Sequence, residues 1–167
     1  VPLVPGYVDI ELVPVDDAIP EAPETAVLTL GTGAAYAVSP AAPSAQVTIL
    51  DNEPTLSVVA TEPMAGEPAN AGLFRISRAN GGAASITVRF ALSGTATFGT
   101  TPTKGDYLLM AGGAVLATTY VSVPAAPGYV DVAVVPIDDK LSEATEAVVL
   151  TLVAGTGYGL DANLAKR

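Results

Sequence analysis

The chain has 167 residues, half of them hydrophobic, and its 17 acidic and 7 basic residues give a formal net charge of −10 at pH 7. This balance argues against nucleic acid and anionic membrane surfaces as partners, because both attract basic proteins. Histidine and cysteine are absent, which excludes disulfide bonds, thiolate chemistry and zinc sites built from these residues. No apolar run is long enough to span a bilayer, so we expect no membrane insertion. The sequence lacks an initiator Met and a signal peptide, so we expect a processed product or an excerpt of a longer chain.

The predicted secondary structure consists of short strands in which apolar residues recur with a period near two. In chain order these are YVDIELVPV (7–15), TAVLTL (25–30), AQVTIL (45–50), LSVVAT (56–61), GLFRISR (72–78), ASITVRFAL (84–92), a strand that begins at 106–107, AVLATTYVSV (114–123), VDVAVVPI (130–137) and AVVLTL (147–152). Gly and Pro turn signals separate them. The pattern predicts an all-β chain that forms an antiparallel, immunoglobulin-like β-sandwich.

Two stretches of the chain, 8–30 and 130–152, carry nearly the same sequence. Val8 matches Val130 and Tyr36 matches Tyr158, each 122 positions apart by subtraction, and no gap is needed between them. Such self-similarity indicates tandem repeats with a period of 122 residues. We predict that residues 1–53 are the C-terminal part of one repeat, and that residues 54–167 are a second repeat that lacks its last strand.

A sandwich without one of its strands has an open edge and an incomplete core. Two explanations are open at this point. The sequence is either a window from a longer tandem array, which we favour, or a chain whose missing strand is donated by a neighbouring copy. The expected partners are therefore neighbouring repeats or other copies of the same chain.

Each copy of the repeat places a DDxxxExxE pattern directly after a predicted strand. The members are Asp138, Asp139, Glu143 and Glu146 in one copy, and Asp16, Asp17, Glu21 and Glu24 in the other. In a turn between strands several carboxylates are able to converge, and a set of hard oxygen ligands suits calcium better than magnesium. A merely solvated acidic loop is the alternative interpretation.

Several motifs together resemble the Calx-β domain, a family of calcium-binding sandwiches that occur in tandem in extracellular and bacterial surface proteins. They are Gly94-Thr95-Ala96, Gly105-Asp106-Tyr107, the DDxxxExxE pattern and the closing VTILDNE at 47–53. The resemblance covers nearly all of 54–167 and, as a partial copy, 1–53. It implies a calcium site held by loops at one end of the sandwich.

The resemblance also implies which residues bind the ion. In the second repeat they are Glu67 (with Glu62 as second choice), Asp106, Asp138, Asp139 and Glu143, with Glu146 as a further ligand or as a residue that orients the others. In the partial repeat they are Asp16, Asp17, Glu21 and Glu24, joined by Asp51 and Glu53. The second repeat departs from the family pattern because it has no closing acidic stretch, and the first because it has no GDY motif.

Other features of the sequence do not point to catalysis. No histidine is present to activate a Ser or Thr, and Trp is absent, so we expect a protein that is not an enzyme. The GxG sequences at 31–33 and 155–157 follow no βαβ pattern, and we predict turns packed against Tyr36 and Tyr158. Arg75, Arg78 and Arg89 are expected to be solvated or paired with acids.

The function predicted from these observations is a structural repeat of an extracellular or cell-surface protein, such as an adhesin, matrix or filament component, stiffened by Ca²⁺ at its acidic loops. Two alternatives stay open. One is a regulatory calcium-sensing module, and the other is a calcium-free repeat that assembles into filaments by strand exchange.

Overall fold

The structure is a computed structural model that describes residues 6–161 except residues 69, 81, 102, 103 and 141. The described residues form strands and no helix, which confirms the prediction of an all-β chain. The strands are β1 (Glu24–Thr29), β2 (Ser44–Ile49), β3 (Thr55–Glu62), β4 (Gly72–Ala79), β5 (Ile86–Gly94), β6 (Tyr107–Ala111), β7 (Ala114–Val115), β8 (Tyr120–Val123), β9 (Tyr129–Pro136), β10 (Val148–Val153) and β11 (Gly159–Leu160). A search of these residues for a helix long and apolar enough to cross a membrane finds none.

The chain divides into two compact units. Unit 1 comprises Val1–Ala18 and Ala22–Asp51, and unit 2 comprises Ile19–Glu21 and Asn52–Arg167. This division rests on compactness alone, so the assignment of residues 1–53 and 54–167 to two repeats stays a prediction.

The regular structure of unit 1 is one antiparallel hairpin. Strand β1 pairs with β2 from Glu24 opposite Ile49 to Thr29 opposite Ser44. Between the strands, the Tyr36 hydroxyl donates a hydrogen bond of 2.8 Å to the carbonyl of Gly31. The strand predicted at 7–15 does not form. That prediction was wrong because an alternating sequence becomes a strand only when a neighbouring strand satisfies its backbone groups, and unit 1 pairs none with this segment.

Unit 2 contains two sheets. The larger has the strand order β11-β3-β4-β9-β6-β7 and the smaller has the order β10-β5-β8. The pairings between these strands are antiparallel except that of β11 with β3, which is parallel. The segment predicted as one strand at 114–123 is split, because β7 belongs to the larger sheet and β8 to the smaller one.

One hydrophobic core joins the two sheets of unit 2. Leu56, Ile76 and Val132 enter it from the larger sheet, and Phe90 and Leu150 enter it from the smaller sheet, all nearly inaccessible to solvent. The period-two sequence explains this arrangement, since alternate residues of a strand face the same side of a sheet. Burial of each such side chain contributes about 1.5–3 kcal/mol to folding. Two sheets around one shared core is the arrangement of a β-sandwich.

Of the two environments predicted for Arg75, solvated or paired with an acid, the structure shows the paired one. Arg75 of β4 lies opposite Asp131 of β9, and its Nε and Nη2 donate hydrogen bonds of 2.8 Å to the two carboxylate oxygens. The guanidinium carbon also lies 4.0 Å from the centre of the Tyr129 ring. Hydrogen bonding to Arg75 is the main cause that lowers the pKa of Asp131 below 3.8.

Candidate metal centre

Four of the predicted ligands line one open cleft in unit 2, of about 410 Å³: Glu67, Asp106, Glu143 and Glu146. They come from three separate segments of the chain. Glu67 lies in the loop after β3, Asp106 directly precedes β6, and the two other glutamates lie in the loop before β10. The described lining of the cleft contains no Lys or Arg, so the charged side chains in it are all acidic.

Hydrogen bonds to both the backbone and the carboxylate of Asp106 hold this residue in place. Its Oδ2 accepts a hydrogen bond of 2.5 Å from the backbone N–H of Thr97, while its N–H donates to the carbonyl of Thr97 at 2.9 Å. Its carbonyl accepts a hydrogen bond of 3.0 Å from Ile137. The aspartate is therefore fixed between the loop after β5 and the end of β9 before any ligand arrives.

The residues on both sides of Asp106 explain the GDY motif. Gly105 has a φ of +86°, and a Cβ atom there would lie 2.7 Å from the backbone of Thr97 and Gly99, so only glycine fits. Tyr107 is buried and packs against Phe98, with the ring centres 5.7 Å apart. Burial, and then the charge of Asp106, raises the pKa of the Tyr107 hydroxyl. The tyrosine anchors β6 in the core while the aspartate stays at its rim.

The GTA motif fixes the segment that carries Glu146. The carbonyl of Ala147 accepts hydrogen bonds from the N–H groups of Thr95 at 2.9 Å and Ala96 at 3.2 Å, and the Ala147 N–H donates to Thr95 Oγ1 at 2.9 Å. Gly94 is required beside them, since a Cβ atom at this position would lie 2.0 Å from the Ala147 carbonyl oxygen. The motif thus holds the residue next to Glu146 by both of its backbone groups.

The electrostatic environment shows that the carboxylates affect one another. Partial loss of hydration, and then the charge of Asp106, raises the pKa of Glu143 above 4.5, and Asp139 and Glu67 add smaller effects. The pKa of Glu146 is raised by the same two causes in the same order, and further by a hydrogen bond to Asp106. Both glutamates stay exposed. Their negative neighbours therefore favour the protonated forms, and a cation in the cleft would reverse that preference.

The remaining predicted ligands of unit 2 lie outside this cleft. Asp138 and Asp139 are exposed in the loop after β9 and do not belong to its described lining. Asp139 still acts on the pKa of Glu143 through its charge. Glu62, the second choice from the first loop, ends β3 and lines a neighbouring cleft of about 290 Å³, which shares Glu146 with the first one.

The structure places the six predicted ligands of the partial repeat in different units. Asp16, Asp17, Glu24 and Asp51 belong to unit 1, whereas Glu21 and Glu53 belong to unit 2. Glu24 is the first residue of β1 and lies opposite Ile49. A second calcium site made of these residues stays a prediction.

Among the described residues, no group of three or more acidic side chains is arranged so that it could hold a metal ion. The charged side chains that line the cleft are all carboxylates, which suits calcium chemistry, but a complete ligand shell is not assembled among the described residues.

Sequence reasoning missed how much of this site depends on residues that are not acidic. Thr95, Thr97 and Ala147 supply the hydrogen bonds that hold Asp106 and the backbone next to Glu146 in place. The signal for them was the pair of glycines in the GTA and GDY motifs, because a glycine with positive φ marks a close approach of two backbones.

Comparison with models of protein families, with characterised protein sequences and with solved structures gives no match for this chain.

Proposed function

We propose that this chain is a non-catalytic structural repeat that binds calcium in the cleft of unit 2. Glu67, Asp106, Glu143 and Glu146 would hold the ion, and Asp138 and Asp139 would join them from the neighbouring loop. Calcium would neutralise the negative charge of these carboxylates and would link the three loops that carry them.

The observation that carries the proposal is that four carboxylates line one cleft whose described lining has no basic residue. The pKa values of Glu143 and Glu146 are raised, first by partial loss of hydration and then by the negative charge of Asp106, so the ionised forms of these glutamates are disfavoured without a cation. A protein gains stability from a ligand that binds only its folded state. Calcium bound by these carboxylates would therefore cross-link the loops that carry them.

The finer parts of the proposal rest on the sequence motifs. We propose an immunoglobulin-like sandwich of the Calx-β type, repeated with a period of 122 residues in an extracellular or cell-surface protein. The arrangement of two sheets around one core supports the sandwich, and the backbone contacts of the GTA and GDY motifs give these motifs a structural reason. In that setting the work of the repeat would be mechanical, as in adhesion, spacing or filament building.

The test is thermal unfolding of the full chain with calcium and with EDTA, together with calorimetric titration. Saturating calcium, at about 100 times its Kd, should stabilise the folded state by about 2.7 kcal/mol. Asp106→Asn and Glu146→Gln should abolish most of this gain. In EDTA, Glu146→Gln should not destabilise unit 2, because it removes a repelled charge. Glu11→Gln, an exposed carboxylate of unit 1, serves as the matched control and should keep the full response.

Two outcomes would contradict the calcium proposal: no heat of binding at millimolar calcium, or an equal loss of response in the Glu11→Gln control. The affinity also distinguishes a structural role from a sensory one. A Kd near millimolar fits an extracellular structural module, whereas a Kd near micromolar fits a sensor.

A further inference from the structure

The smaller sheet of unit 2 has one long edge strand without the usual protection against pairing. Within the described part of the chain, β10 pairs with β5 on one side only. Its sequence VVLTLV contains no charged residue, Pro or Gly. The other edge strands of unit 2 are shorter, with 2 residues in β7 and in β11 and 4 in β8. Natural proteins normally block such an edge because its free N–H and C=O groups bind further strands.

The same chain shows which strand this sequence pairs with when a partner is present. The segment ETAVLTL at 24–30 corresponds to EAVVLTL at 146–152. In unit 1 the first of these forms β1 and pairs with β2, with Ala26 opposite Val47 and Leu28 opposite Ala45. The hairpin therefore provides a register for a strand at the edge of β10.

Transferred to unit 2, this register places Val47 opposite Val148 and Ala45 opposite Leu150. The side chain of Leu150 is fully buried, and Val148 packs against the same core. The strand SAQVTI alternates, so that Ala45, Val47 and Ile49 share one face while Ser44, Gln46 and Thr48 share the other. Its apolar face thus meets the core and its polar face meets solvent.

We propose that the free edge of β10 is a docking site for the strand Ser44–Ile49 of a second copy of this chain. In its own copy this strand belongs to a two-stranded sheet. Isolated hairpins are at best marginally stable in water. On β10 the strand keeps the same number of backbone partners and adds a hydrophobic core under Val47, which is 53% exposed in the hairpin.

This mode of association has a direction. Each copy donates at β2 and accepts at β10, so the two surfaces differ and the contact is heterologous. Contacts of this kind produce open chains of subunits unless their rotation closes a ring. The proposal does not depend on calcium, since neither strand contains a carboxylate, and its test is performed in EDTA so that it stands or falls separately from the metal site.

The first experiment is sedimentation of the full chain over a range of concentrations. The wild-type chain should form a concentration-dependent series above its monomer mass of 16.7 kDa. Gln46→Pro should remain a monomer, because proline removes a backbone donor from the strand. Gln46→Thr is the matched control and should associate like the wild type. At concentrations where all three chains are monomeric, the unfolding midpoint of unit 2 should be the same, since β2 belongs to unit 1. At higher concentrations it should rise in the wild type and in Gln46→Thr only, because docking stabilises the folded acceptor.

The second experiment uses a labelled peptide of residues 43–53 added to the Gln46→Pro chain. It should bind at one site per chain and slow amide hydrogen exchange in Val148–Val153. The same peptide with Val47→Asp should bind at least about tenfold more weakly, because it places an unpaired charge against the core. Equal binding of the two peptides, protection at β8 instead of β10, or wild-type sedimentation identical to that of Gln46→Pro would each overturn the proposal.

Discussion

The two copies of the repeated sequence have the same turn but not the same burial. In unit 1 the Tyr36 hydroxyl bonds to the carbonyl five residues before it at 2.8 Å, and in unit 2 Tyr158 makes the same bond to Val153. Yet Tyr36 is 60% exposed and Tyr158 is 5% exposed. The turn is therefore encoded locally, whereas burial depends on strands that only unit 2 contains.

The contrast is sharper in the preceding segments. Residues 8–12 form no strand in unit 1, whereas their counterparts at 130–134 lie within β9, between β4 and β6. Ile10 is 70% exposed, and its counterpart Val132 is fully buried. An alternating sequence carries the potential for a strand, but its neighbours decide whether the strand forms.

The largest expected difference in unfolding free energy is between alanine substitutions at the leucine that the two copies share, Leu28 in unit 1 and Leu150 in unit 2. Leu150→Ala should destabilise unit 2 by about 2–5 kcal/mol, because it leaves a cavity in a closed core. The matched change Leu28→Ala affects a side chain that is 42% exposed, and should change stability by less than about 0.5 kcal/mol. Urea unfolding followed by circular dichroism measures both. Similar losses in the two variants would mean that unit 1 has a packed core of its own.

A smaller effect is expected at the tyrosines. Tyr158→Phe removes a part-buried hydrogen bond to Val153 and should cost about 0.5–1.5 kcal/mol. Tyr36→Phe removes the equivalent bond where water is able to replace it, so we expect little change. Denaturant titration of the two variants tests this. A larger loss for Tyr36→Phe than for Tyr158→Phe would contradict the idea that only unit 2 buries this turn.

The smallest expected effect concerns pH. The folded-state pKa values of Glu143 and Glu146 lie above 4.5, so their protonation favours the folded state. In EDTA their contribution should be fully present below pH 4.5 and should be lost as the pH rises through the raised values. Asp131 acts in the opposite sense, since its pKa is lowered and its contribution is lost as the pH falls below 3.8.

Unfolding midpoints in EDTA between pH 4.5 and 7 should therefore fall slightly with rising pH, and Glu146→Gln should flatten this dependence. A midpoint that rises over this range in EDTA would contradict the expectation that protonation of the two glutamates favours the folded state. Glu11→Gln should leave the profile unchanged.

Much of unit 2 was predictable because its strands alternate strictly. The predicted LSVVAT and GLFRISR segments lie within β3 and β4. Four of the residues that the Calx-β resemblance implied as ligands, Glu67, Asp106, Glu143 and Glu146, line one cleft, and their role as ligands stays a prediction. Local sequence could not show that 114–123 divides between two sheets, because both parts have the same pattern. Nor could it separate Asp138 from the cleft, since that depends on the path of the loop in three dimensions.

The parallel pairing of β11 with β3 has a mechanical consequence. Among the described residues these strands are the first and last of unit 2, and Gly159 and Asp161 donate hydrogen bonds of 2.9 and 2.8 Å to the carbonyls of Pro54 and Leu56. Tension applied between Pro54 and Asp161 would slide the two strands past each other along their length. The force would then act along the strands and on all of their hydrogen bonds at once. A pair of strands resists separation best under a force in this direction.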